Sequence, residues 1–402
     1  MNKKLYIYLC ALSHMATDTA QGGLPALLPL FIGLYGLNYQ EAAALMFANT
    51  ALASVAQPLL GYLSDKYPMP WMTALGVFLT GISIGFMSIA DNYWSIFSLA
   101  VLAGLGSAAF HPETARLVNR LSAKQKGKSM GTFAVGGSAG FAIGPLLAGT
   151  SYVWGIHMLW LFPILNTLIA LALLYAIRTL DTKMATDANQ SKDSATISTQ
   201  IQEHVQHNTK PLSEPTNDWR SFTRLFGLIL TRATNYAVLN TFIPIYWITI
   251  LHQSTTSGNL ALTIFFFIGI IITLVGGILS DKFGYVKIIR ISYLFMVPSM
   301  FFFTNSNTYL WSLFLLLPLG FGLFCQYSPI VVLGQTYLAK SVGFAAGITL
   351  GVGITFGGIV APGIGWFADH YGLQSALQVL NIVTLIGLVL SFMLKETTKT
   401  SH

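Results

Sequence analysis

The sequence predicts an all-α integral membrane protein of twelve transmembrane helices in two six-helix pseudo-repeats, and three observations predict it. Of the 402 residues, 54% are hydrophobic and only 9% are charged, against about a quarter charged in soluble domains. Apolar stretches long enough to cross a bilayer, which takes about 20 residues, recur through the chain. The phrase Gly-Tyr-Leu-Ser-Asp-Lys at 61–66 returns as Gly-Ile-Leu-Ser-Asp-Lys at 277–282, each copy closing an apolar run. Gly140-x-x-x-Gly144-Pro145 is answered at the same offset, within one residue, by Gly357-x-x-x-Ala361-Pro362. Gly104, Gly106 and Pro112 are likewise answered by Gly320, Gly322 and Pro329. Landmarks repeated in one order imply an internal duplication.

The first six spans run near 5–35, 41–63, 71–90, 94–117, 128–150 and 154–178, and the second six near 221–251, 259–280, 286–304, 308–335, 341–366 and 373–394. Helices are the only spanning solution at these lengths, because each backbone amide must be satisfied within its own segment. The first span begins with Lys3 and Lys4 like a signal peptide, but its apolar run passes Leu30 and contains His14 and Asp18. It reads as an uncleaved helix. Residues 181–218 form the one long polar interval, with Pro211 and Pro215, too poor in apolar side chains to order itself. The expected organisation is therefore an amino-terminal bundle over 1–180, a linker over 181–218 and a carboxy-terminal bundle over 219–402.

The net charge of +7 does not point to nucleic acid. With the amino terminus inside, Lys3, Lys4, Lys66, Arg116 to Lys128, Arg178 to Arg224, Lys282 to Arg290, Lys340, Lys395 and Lys399 all fall on or beside cytoplasmic segments. The positive-inside rule then places both termini in the cytoplasm, and the expected location is a bacterial inner membrane. Cys10 and Cys325 lie in apolar runs and read as small buried hydrophobes.

Duplicated spans with polar residues at mid-membrane are the pattern of a secondary transporter, in which two bundles rock about a central site. In the first span His14, Asp18, Gln21 and Pro25 follow spacings of 4, 3 and 4 and share one face. Asp18 lies about 20 Å along the helix from Leu5, where an ionised carboxylate costs at least ~2.5 kcal/mol. Either a proton or a permanent hydrogen bond must compensate it; a carboxylate removed from water holds a proton more readily, which suits a proton carrier. Phe110-His111-Pro112-Glu113 follows in the fourth span, with Arg116 and Arg120. His111 and Glu113 are about 200° apart on a regular helix and so cannot line one cavity unless Pro112 bends the chain. Asp18, Glu113 and His111 are the expected proton-coupling residues; a cytoplasmic charge cluster is the plainer reading of Glu113 and its arginines.

Arg232 is the one basic residue well inside a span, followed by Asn235, Tyr236 and Asn240. A buried guanidinium needs an anion, either the substrate or a carboxylate such as Asp18; snorkelling to the surface is the alternative. His14, Gln21, Arg232, Asn235, Tyr236 and Gln326 are the expected cavity set. Gly136, Gly140 and Gly144 step by four, as do Gly343, Gly347 and Gly351, and such spacing lets helices approach closely. Pro145 and Pro362 weaken the helix ladder beside them, so Gly140, Gly144, Pro145, Gly357 and Pro362 are the expected packing and bending positions. Gly61, Asp65 and Lys66, with Gly277, Asp281 and Lys282, are the expected conformational latch, their carboxylates drawn to the positive amino-terminal end of a neighbouring helix.

Two other chemistries are weighed and set aside. Gly136-Gly137-Ser138-Ala139-Gly140 fits the G-x-S-x-G pattern of hydrolases, but that motif requires a strand-to-helix elbow. A membrane-embedded hydrolase or sensor would need Ser138 rather than Asp18, and no enzymatic activity is expected. A metal site from His14, Asp18, His111 and Glu113 is chemically conceivable, yet needs side chains of two helices to converge. No metal or cofactor is expected.

These residues resemble the major facilitator superfamily over essentially the whole chain. Gly61 to Lys66 is similar to its loop signature between the second and third helices, and Gly140-x-x-x-Gly144-Pro145-x-x-x-Gly149 to its antiporter motif. Gln57-Pro58-Leu59-Leu60-Gly61-Tyr62, continuing from Asp65 to Trp71, with Phe110 to Glu113 and Ser13-His14 with Asp18, resembles the fosmidomycin-resistance family of efflux proteins. The resemblance implies the major facilitator fold and proton-driven export of a small molecule or drug by a monomer, with Asp18, His111, Glu113 and Arg232 matching an acid, a histidine, an acid and a base of that family. Ala100 to Ala103 stand where many drug antiporters carry an arginine, and Pro68, Met69 and Pro70 replace the trailing basic residues of the loop signature. An uptake symporter built from the same parts is the alternative.

Overall fold

The computed structural model describes residues 3–67, 69–121, 126–194, 216–341, 345 and 348–396. Six helices come first: α1 (Lys3–Tyr35), α2 (Tyr39–Lys66), α3 (Trp71–Phe86), α4 (Tyr93–Leu121), α5 (Lys126–Trp154) and α6 (Leu161–Ser194). The later ones are α7 (Trp219–Thr249), α8 (Thr255–Phe283), α9 (Tyr285–Thr304), α10 (Tyr309–Phe324), α11 (Tyr327–Tyr337), α12 (Gly353–Tyr371) and α13 (Leu373–Phe392). The fold is all-helical, as the hydropathy pattern predicts. Helices α10 and α11 together form the tenth span, interrupted at Cys325 and Gln326. A π-helical turn over Ile348–Val352 leads into α12.

Among the described residues eight helical segments are long and apolar enough to cross a membrane by length and composition. Neither α1 nor α7 is one of them, because His14, Asp18 and Gln21 in one and Arg232, Asn235 and Asn240 in the other dilute their apolar character. Helices α2 and α12 are likewise not among them.

Lipid offers no hydrophobic drive between helices, so close backbone approach must hold the bundle together. Helix α5 lies along α1, where Cβ atoms on Gly136, Gly140 and Gly144 would overlap the carbonyl oxygens of Ala11, Met15 and Thr19. The predicted small-residue stripe is therefore a backbone contact surface. Gly357 meets the Ala233 carbonyl in the same way on α7, while Pro145 and Pro362 each sit within a helix. Gly343 and Gly347 lie outside the described residues, as does the environment of Gly351. Early and late helices meet through α2 with α12 and α5 with α8, and one apolar core runs across these contacts.

Helix α6 extends to Ser194, beyond the expected start of the linker at residue 181. At the other end Asn217 donates to the Ser341 hydroxyl at 3.1 Å and accepts from the Lys340 amide at 2.9 Å. Asp218 caps α7 through the Ser221 amide and hydroxyl, contacts that hold its carboxyl below the usual range. Cys10 and Cys325 are free and buried, as expected.

Gly140→Val drives a side chain into the Met15 carbonyl and should cost about 1–3 kcal/mol or more. The melting temperature of the detergent-purified variant should fall. Gly131→Val on the same helix, where a Cβ meets nothing within 4 Å, should melt like the parent; equal loss in both would contradict the contact.

Candidate functional site

Three predicted residues converge between α1 and α4. Asp18 is 4% exposed, and its two carboxylate oxygens lie 3.1 Å from His14 Nε2 and 3.4 Å from His111 Nε2. Helical spacing brings His14 and Asp18 to one face, since they are four residues apart. His111 arrives from α4. On the far side of each ring, His14 Nδ1 is 2.7 Å from the Phe133 carbonyl and His111 Nδ1 is 2.8 Å from the Ser107 carbonyl. A carbonyl only accepts, so His14 Nδ1 carries hydrogen and its Nε2 faces the carboxylate; His111 Nδ1 also meets the Ser107 hydroxyl at 3.0 Å, and with hydrogen on that Nδ1 its Nε2 faces the carboxylate in the same way. The Phe133 ring stacks on His14 at 4.1 Å between centroids. Gly137 closes the floor, where a Cβ would strike His14 Nε2 and Asp18 Oδ2; the motif that mimics a hydrolase elbow instead makes room for this triad.

The charge count follows from the tautomers. Without a shared proton the triad is two neutral imidazoles and a carboxylate, net −1, with acceptors facing each other. One proton makes it neutral.

A cavity of about 640 Å³, its open mouth included, lies between α2 on one side and α7, α11 and α12 on the other. Arg232, Tyr236, Asn240 and Tyr327 supply its polar lining, with Met46 and Thr50 facing them from α2. Arg232 Nε donates to the Leu323 carbonyl at 3.2 Å, and its guanidinium lies 4.9 Å from the centre of the Tyr327 ring. Among the described residues no carboxylate pairs with it. The expected Asp18–Arg232 pair is therefore absent: Asp18 is taken by imidazoles, and Arg232 faces the cavity rather than snorkelling.

Other expectations need correction. Asn235 is fully buried and accepts from the Thr384 hydroxyl at 3.2 Å, so it faces α13 rather than the cavity. Gln326 is also fully buried, donating to the Gly322 carbonyl at 2.7 Å, and serves the break between α10 and α11. His14 belongs to the triad, and half-buried Gln21 is outside the cavity lining. Glu113 is buried and paired with Arg116 at 2.6 Å and 3.2 Å, apart from Asp18. His111 and Glu113 thus serve different surroundings, as their angular separation demands.

Only part of the expected latch lies among the described residues. The side chains of Asp65 and Lys66 and the surroundings of Gly61 lie outside the described residues. Asp281 accepts from the Tyr285 hydroxyl at 3.0 Å, while the first amides of α9 are taken by Glu396 at 3.0 and 3.1 Å. Gly277 contacts only the Ser328 side chain at ordinary distance, and Lys282 lies over Phe283. Among the described residues, a carboxylate-to-helix-end contact that joins early and late helices is made by Asp369, at the end of α12, which accepts from the Tyr39 and Gln40 amides at 2.7 and 2.9 Å. Sequence reading missed Asp369, Glu396, Gly137 and Tyr327; only the three-dimensional neighbours of each reveal its role.

The sequence profile described as Major Facilitator Superfamily matches residues 10–362 and again 225–402. The chain is 27% identical over 387 residues to the fosmidomycin resistance protein of Escherichia coli (strain K12), covering 95% of this chain and 91% of that one. It is 26% identical over 290 residues to a multi-drug resistance efflux pump PmrA homolog of Lactococcus lactis subsp. lactis (strain IL1403), covering 67% and 64%. Its fold is similar to that of a bacterial homolog to the human lysosomal transporter Spinster in an inward-facing, occupied conformation, with TM-score 0.76, 11% identity and coverage of 97% and 96%.

Asp369→Ala should free the Tyr39 and Gln40 amides, speeding their hydrogen exchange by roughly tenfold for about 1.4 kcal/mol of lost bonding. The Glu41 amide, held by the Asn38 side chain at 2.7 Å, is the internal control and should be unchanged. Unaltered exchange at all three amides would deny the contact any strength.

Proposed function

The chain belongs to the major facilitator superfamily, and from that premise we propose that it exports small organic molecules across a bacterial inner membrane in exchange for protons. The observation that carries this reading is a buried carboxylate between two imidazoles, able to hold or lose one proton, in a chain whose early and late helices enclose a cavity lined by Arg232. Residues 1–180 and 219–402 act as the two rocking bodies, 181–218 joins them, and both termini are cytoplasmic. The monomer is the working unit. Relatives named for fosmidomycin and multidrug resistance support export of drug-like molecules.

In this cycle the triad takes a proton while the cavity faces outside and releases it inside. Each inward charge gains about 2.3 kcal/mol per 100 mV of membrane potential. Exchange requires that proton and substrate compete. A substrate achieves this by presenting a cationic or hydrogen-bond-donating group to the deprotonated triad, while any acidic group rests on Arg232. Glu113, held by Arg116, is a second exchangeable site nearer the end of α4.

Arg232, with no carboxylate partner among the described residues, also favours a second reading for purely anionic substrates. Where such a substrate binds the protonated chain more tightly, uptake is coupled to proton entry. Direction is therefore decided by the substrate's charge pattern, and a vesicle experiment separates the readings. Acidifying the outside should drive a competing substrate out and a cooperating one in.

In a drug-sensitive host the wild-type chain should raise tolerance to at least one compound of a panel, and Asp18→Asn should return it to the level of the empty host. Arg232→Ala should lower tolerance to acidic compounds by roughly tenfold, the worth of one charge-assisted contact, and spare neutral ones. Full proton-dependent resistance in Asp18→Asn would overturn the coupling assignment.

A further inference from the structure

We propose that His14, Asp18 and His111 also form a binding site for a divalent metal ion of the zinc class. The sequence argues against a metal only because two helices had to converge, and they do. One ligand atom from each residue lies within 4.8 Å of the others. Metal–nitrogen and metal–oxygen bonds of about 2.0–2.1 Å place tetrahedral ligands about 3.3 Å apart. The observed separations are 3.1 Å from His14 Nε2 to one carboxylate oxygen and 3.4 Å from His111 Nε2 to the other, so a turn of the carboxylate and a closing of the rings from within 4.8 Å bring one oxygen and both Nε2 atoms onto an ion.

The protonation pattern makes the argument specific. Both Nδ1 atoms meet backbone carbonyls, of Phe133 and Ser107, and His111 Nδ1 also meets the Ser107 hydroxyl; with hydrogen on each Nδ1 this is the outer-shell arrangement that orients metal-binding histidines. Both Nε2 lone pairs then aim at the carboxylate, and Asp18 Oδ1 is buried with no hydrogen-bond partner. Three acceptors facing one another call for a cation at their centre. Two imidazoles and one carboxylate select zinc, nickel or cobalt over magnesium or calcium, which prefer oxygen. The His111 side chain is 27% exposed against 11% for His14 and 5% for Asp18. Entry is therefore along His111, and a water or substrate atom takes the remaining coordination position there.

Since the metal occupies the place of the exchangeable proton, metal binding stops the transport cycle; this consequence rests on the proton-exchange reading above. The binding itself does not.

The test uses the purified full-length chain in detergent and zinc sulfate as the probe, titrated against a chromophoric chelator. One zinc per chain should bind, and His14→Gln, His111→Gln and Asp18→Asn should each weaken it by roughly tenfold or more. His157→Gln, an exposed histidine elsewhere, should leave it unchanged. X-ray absorption on the wild-type chain should show two imidazoles in a first shell at about 2.0–2.1 Å, a reading independent of whether any variant folds. No zinc binding, an all-oxygen shell, or equal affinity in all triad variants would overturn the site. Loss of drug resistance in Asp18→Asn with unchanged zinc affinity would sink the metal site and leave the transport reading standing. Triad-dependent zinc binding in a chain whose export ignores Asp18 would do the reverse.

Discussion

A carboxylate buried in the middle of a bilayer has to be compensated from within the protein, and much of the amino-terminal helical arrangement answers that demand. Asp18 is met by His14 one helical turn away and by His111 from α4. Those imidazoles are oriented by carbonyls of α5 and α4, and the α5 carbonyl is in reach because glycines let α5 lie against α1 without Cβ atoms between them. Gly137 then leaves the volume that His14 and Asp18 fill. Close packing and charge compensation are one device here: a larger residue in the stripe would move α5 and with it the acceptor that fixes the tautomer of His14.

The later helices present the complementary problem. Arg232 occupies α7, the repeat counterpart of α1, and has a carbonyl and an aromatic face but no carboxylate among the described residues. That arrangement leaves Arg232 available to something in the cavity.

The sequence made the spans legible because hydropathy reports directly on what a bilayer tolerates. The glycine stripe was legible because its spacing of four repeats one helical face. The pairing of His14 with Asp18 was also readable, but the arrival of His111 was not, because periodicity orders residues on one helix and says nothing about which face its neighbour offers. Asn235 shows the same limit. One residue from Tyr236, it is turned by about 100°, enough to send it to Thr384 while Tyr236 lines the cavity. The repeated Gly-x-Leu-Ser-Asp-Lys phrase drew attention to Asp281, but gave no sign that Glu396, 111 positions from Tyr285, reaches the first amides of α9. Which carboxylate meets which helix start depends on chain return, not on local phrase.

The contact of Asp369 with α2 shows why such a return matters for motion. It joins an early helix to a late one by placing a carboxylate on two amides at a helix start, where the backbone dipole also favours negative charge. Charge-assisted bonds are worth about 1.5–3 kcal/mol each when shielded, and less here because the pair is solvent-exposed. The total is therefore of the same order as the roughly 2.3 kcal/mol that one charge gains in crossing 100 mV. A latch much stronger than that would hold the transporter in one conformation, and one much weaker would not bias it. An exposed carboxylate on backbone amides meets both limits, because water can replace it as the helices part and the amides lose no buried partner.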